Sequence, residues 1–102
     1  MFRKLYWVTE SVDAKGLSHV VGVYTSIPDL IRHGLSTNDR NSRLRLTLTK
    51  LDSDRTPFGT WCEPHFEGLD DKLQEFVVTE EFLPEQCEML VDALKRRPAI
   101  AA

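Results

Sequence analysis

The chain is short of almost everything that marks a catalytic or cofactor-binding protein. It has two cysteines in 102 residues, Cys62 and Cys87. That number builds no disulfide framework and points to free thiols in a reducing compartment, so the expected location is the cytoplasm. No apolar run approaches the roughly 18–20 residues that cross a bilayer, and the N-terminal Leu5-Tyr6-Trp7-Val8 turns polar at Thr9-Glu10, unlike a signal peptide. The five glycines are scattered. None forms a phosphate-cradling loop before Lys-Ser/Thr, and no dinucleotide fingerprint is present, so no cofactor is expected. Internal repeats and low-complexity segments are absent as well.

What is present is ordinary globular composition, 41% hydrophobic and 28% charged, enough for one domain over residues 1–102 with a short tail from 98 to 102. Charge is unevenly divided. Residues 1–58 carry a balance of +3 and residues 59–102 a balance of −6, which together give the net −3. Such asymmetry bears on partners and on association rather than on fold.

The pattern of residues reads as α+β, in the order β-β-α-β-β-α-α. Residues 4–9 and 19–25 are aromatic and β-branched and read as an antiparallel hairpin. Ser26 is an N-cap with Asp29 three residues on, and Pro28 suits a first turn. A helix of about nine residues follows, with Ile27, Leu30, Ile31 and Leu35 on one face and Gly34 at its end. Residues 43–49 alternate strictly, with Leu44, Leu46 and Leu48 opposite Arg43, Arg45, Thr47 and Thr49. Residues 58–63 read as a fourth strand. Two helices close the chain. One carries Leu69, Leu73, Phe76 and Val77; the other starts at Pro84 and carries Cys87, Leu90, Val91 and Leu94. The β-branched run 76–82 is also compatible with a strand. The expected architecture is a small antiparallel sheet packed with one short helix and a C-terminal helical hairpin.

Three features carry functional readings. Both faces of the first hairpin are apolar, so it is either covered on both sides or open on one. In the covered case the helical hairpin takes one face and the short helix part of the other. In the open case Tyr6, Trp7, Val8 and Tyr24 form an interface with a protein partner or a second copy of the chain, and Arg43 and Arg45 set its orientation. This is the preferred reading: a non-enzymatic protein-interaction or regulatory module that self-associates.

The second feature is the basic set Arg40, Arg43, Arg45 and Lys50, which offers phosphate contacts for a nucleic acid or phosphate ligand. Its bland alternative is a solvated face whose charges protect a sheet edge. The third is Cys62 with His65, spaced to ligate a metal or to pair a thiol with a base. No second close pair completes a four-ligand site, and a small packed cysteine beside a turn histidine accounts for the same residues.

Overall fold

The computed structural model describes residues 5–35, 42–50 and 57–97. The expected tail, Arg40, and most of the two polar loops lie outside the described residues. Four strands, β1 (Leu5–Val12), β2 (Ser18–Tyr24), β3 (Arg43–Lys50) and β4 (Gly59–Cys62), form one antiparallel sheet in the order β2-β1-β3-β4. Between β2 and β3 lies one helical turn, α1 (Ile27–Asp29), which widens into a π turn at Leu30–Gly34. Helices α2 (Leu69–Val78) and α3 (Pro84–Lys95) follow β4. The α+β class and the element order are those expected from the sequence.

Strict alternation determines which face of the sheet is buried. Leu44, Leu46 and Leu48 of β3 are fully buried, and they lie in register with Ser11, Thr9 and Trp7 of β1. On this side Ile27, Leu30, Leu35, Leu69, Leu73, Phe76, Cys87, Leu90 and Leu94 join the strand residues in one hydrophobic cluster. All the helical elements therefore cover the same face. The expectation that the short helix shields the opposite face is corrected. The reason is Tyr24, which pairs with Trp7 on the helical side. Its ring lies across Gly22 and Gly34, so close that a Cβ on Gly34 would sit 2.7 Å from a ring carbon. That contact holds the turn after β2 against the covered face.

β1 continues past Thr9 to Val12 because its later polar residues are satisfied in the sheet. Thr9 is buried with its hydroxyl donating to the Gly22 carbonyl at 3.4 Å, and Glu10 meets Arg45. The nine-residue helix expected after Ser26 is only partly α-helical. Ser26 caps it as expected, its Oγ accepting from the Asp29 N–H at 3.2 Å. The Leu35 N–H then reaches back five residues to the Leu30 carbonyl, so Gly34 ends a π turn rather than serving as a C′ residue.

The run 76–82 is not a strand. α2 continues through Val78, and the chain leaves it in a Schellman arrangement: the Glu81 N–H donates to the Phe76 carbonyl and the Glu80 N–H to that of Val77. Glu80 occupies the left-handed position, with φ 63°. Glycine is usual there, which is why the helix stop is hard to read from the residues. Beyond it, Phe82 stacks on Trp7 at 5.8 Å and meets Phe76 at 5.3 Å, closing an aromatic cluster beneath the sheet.

Candidate functional site

The face of the sheet opposite the helices is built from the register. Across it lie Tyr6 beside Thr49, then a row of Val23, Val8, Thr47 and Thr60, then a row of Val20, Glu10, Arg45 and Cys62, and finally Ser18, Val12 and Arg43. Residues opposite one another in a ladder share a face, and the 3.4 Å contact between the Thr47 and Thr60 hydroxyls agrees with this. Among the described residues no helix packs here. Val20, Val21 and Val23 are 59%, 43% and 55% exposed.

The concentration of valine comes from a β-bulge. Thr9 pairs with Gly22 and Glu10 with Val20, leaving Val21 as the extra residue. Without the bulge, strict alternation separates Val20 from Val23. With it, both stand on the uncovered face, opposite Glu10 and Val8. A count along the strand that assumes period two misses this surface.

The expected interface set is thus divided between two environments. Tyr6 and Val8 stand on the open face, half-buried. Tyr24 is half-buried on the helical side against the two glycines. Trp7 is corrected outright: at 1% exposure it is a core residue and offers no surface to a partner. In its place the exposed valines of β2 carry the apolar surface. One signal in the sequence marks them. Residues 16–28 contain none of the chain's 29 charged residues.

Among the described residues, Arg43, Arg45 and Lys50 do not form a patch. Arg45 is held by Glu10 through two hydrogen bonds, Nε to Oε1 at 3.1 Å and Nη2 to Oε2 at 2.7 Å, and it also donates to the Ser18 hydroxyl at 2.8 Å. Its charge is neutralised in place. The guanidinium's hydrogen bonds hold the Glu10 carboxyl below the usual carboxylate range. Arg43 is exposed, on the open face. Lys50 is exposed at the other end of β3, about 23 Å away at strand rise, and by alternation belongs to the opposite side.

The Glu10–Arg45 pair gives a pH-dependent prediction. Because the folded pKa of Glu10 is lowered, the pair's stabilisation is complete above pH 4.5, the ordinary value, and is lost as pH falls through the lower folded value. Glu10→Gln should therefore lower stability by about 1 kcal/mol near neutrality, and the difference from the parent should shrink as the solution is acidified below pH 4.5. Urea midpoints measured across that range check it; a constant difference contradicts it.

Cys62 and His65 are close along the chain, with the His65 N–H donating to the Cys62 carbonyl at 2.8 Å. Their chemistry does not converge. Cys62 stands on the open face beside Arg45, and the exposed His65 directs Nδ1 at Glu67, 3.3 Å away. Among the described residues no group of three metal-ligating side chains comes together. Glu63, between them in sequence, is buried on the helical side and serves the fold. Its Oε1 accepts from the Leu44 N–H at 2.7 Å, and both oxygens accept from Arg97 at 2.9 Å. Cys87 is buried in the core, where burial raises its thiol pKa, so the two thiols belong to different layers.

No helix among the described residues is long and apolar enough to cross a membrane. Comparison of the chain with family models, curated proteins and solved structures finds no match to any of them.

Proposed function

We propose that this chain is a non-enzymatic protein-interaction module that self-associates through the uncovered face of its sheet. The observation that carries the reading is the exposed pair Val20 and Val23 on the open face beside Val8 and Tyr6, with the exposed Val21 in the bulge between them and no described helix over this face. Apolar patches of this kind at an otherwise polar surface mark interaction sites.

The partner proposed is a second copy of the chain. Around a two-fold axis each residue near the centre meets its own counterpart, so a charged centre repels itself. The stretch from residue 16 to 28 has no Asp, Glu, Lys or Arg, and the nearby Glu10 and Arg45 cancel one another. Two such faces can pack sheet on sheet, with the hydroxyl-bearing β3 and β4 rows at the rim. Free thiols in separate layers agree with a reducing compartment, and we place the module in the cytoplasm.

The phosphate-binding alternative is weaker on these residues, since Arg45 is occupied by Glu10 and Lys50 lies far from Arg43. Its signature is binding that weakens steeply with salt.

Val23→Lys tests the proposal. The site is exposed and on a strand, so the fold should lose no more than about 0.5 kcal/mol, while a lysine on each side of the axis should convert the dimer to monomer. Light scattering after size exclusion reads the mass, and a thermal melt reads the fold. An unchanged oligomer with an unchanged melt removes the valine face from the interface.

A further inference from the structure

Among the described residues on the strands of the uncovered face, the charged side chains are Glu10, Arg43 and Arg45, and Glu10 is the single acid. Its side chain is 19% exposed and that of Arg45 34%. Arg45 on β3 donates to both Glu10 oxygens and to the Ser18 hydroxyl on β2. Cys62 on β4 pairs with Arg45 from the far side. Arg43 stands two residues along β3 on the same face, about 7 Å from Arg45 at strand rise. The other titratable groups nearby belong elsewhere. His19 pairs with Ser11 on the helical side. Asp13 and Lys15 lie in the turn beyond Val12, where Asp13 accepts from the Lys15 and Leu17 N–H groups.

We infer that, on the reading that the valine face joins two copies, Glu10 is an acid-sensitive latch: its charged carboxylate lets two open faces meet, and its protonation drives them apart. With Glu10 charged, the Arg45 charge is cancelled and only Arg43 is left over. Without it, both arginines stand uncompensated on an otherwise apolar and hydroxyl-bearing face. A two-fold axis sets each such face against its own copy, and like charges brought together across an interface oppose association. The direction of the switch follows from the same bonds. The Arg45 hydrogen bonds lower the Glu10 pKa from the ordinary 4.5, so the charge persists at neutrality and is lost as pH falls below that value.

The test compares three full-length proteins by sedimentation equilibrium: the parent, Glu10→Gln, and Glu10→Gln with Arg45→Gln. Each is measured at neutral pH and at about pH 3.5, and circular dichroism reads the fold in parallel. At neutral pH Glu10→Gln should raise the dissociation constant of the dimer about tenfold. The double variant, whose open face carries the same net charge as the parent's, should return close to the parental value. Acid should weaken the parent toward the Glu10→Gln value and change the two variants little. Where acid unfolds the parent, the neutral-pH comparison of the three proteins decides. Glu10→Gln associating as tightly as the parent at neutral pH overturns the latch. So does a double variant as weak as the single one, since the hydrogen bonds and not the charge then matter. A parent that keeps both its fold and its dimer in acid overturns it as well. A parent that is one chain at neutral pH overturns the valine-face reading itself, whereas a neutral-pH dimer indifferent to Glu10 overturns the latch alone.

Discussion

Replacing Arg97 by alanine should destabilise the fold by about 3–5 kcal/mol, among the largest effects available at a single position. The side chains of Arg97 and Glu63 are only 11% and 8% exposed. The guanidinium bonds both oxygens of Glu63 and also donates from Nη1 to the Leu35 carbonyl. It thereby ties the end of α3 to the end of β4 and to the turn that follows the π segment. Its removal leaves a buried carboxylate without a counter-charge and a buried carbonyl without that donor. The double variant Glu63→Gln with Arg97→Met should be less damaging than Arg97→Ala alone. The amide oxygen of the introduced glutamine still accepts from the Leu44 N–H, and no uncompensated charge remains. Urea unfolding of the three proteins measures this. A loss below about 1 kcal/mol for Arg97→Ala means the pair is solvated and not a clamp.

Trp7→Ala should cost about 3–5 kcal/mol. Trp7 is on a central strand of the sheet, beside Leu48, its register partner on β3, and stacked on the Phe82 ring. Its indole N–H is buried with no hydrogen-bond partner, a cost the fold already bears. The indole's size therefore outweighs its polarity at this site, and alanine leaves a cavity that the fully buried leucines around it cannot close. Tyr6→Ala, one residue earlier on the open face, should cost far less while weakening self-association. The pair separates core from surface: melting curves should move strongly for Trp7→Ala, and assembly mass should move for Tyr6→Ala. Similar thermal losses for both place Tyr6 in the fold as well and weaken the interface.

The contrast between these neighbours shows what the sequence made legible. Alternation in Leu44, Leu46 and Leu48 identified β3 and its buried side, because period two is imposed by the backbone itself. Ser26 with Asp29, and Pro84 at the first position of α3, marked helix starts through local chemistry. The same period two put Leu5 with Trp7 and Tyr6 with Val8, which is correct, but it cannot say which pair meets the helices. That depends on contacts distant in sequence, such as Tyr24 against Gly34.

The candidate surface was harder to read for a related reason. A bulge at Val21 changes which valines share a face; the strand glycine Gly22 is its local sign, but a glycine alone does not say which residue is the extra one. The Glu63–Arg97 clamp joins residues 34 positions apart. Arg45 reads as a free cation until the ladder sets it opposite Glu10. In each case the missing information is tertiary: a register shift, a long-range ion pair or a cross-strand neighbour. The uncharged stretch from residue 16 to 28 was visible throughout, and it coincides with the strand whose valines remain exposed.

The central claim is that the open valine face is closed by a second copy of the chain. Sedimentation equilibrium of the untagged protein, from micromolar to millimolar concentration, tests it most directly. The account predicts a mass rising to twice the 11.7 kDa of one chain and levelling there, as a closed two-fold assembly requires. A mass that stays at one chain over the whole range contradicts it.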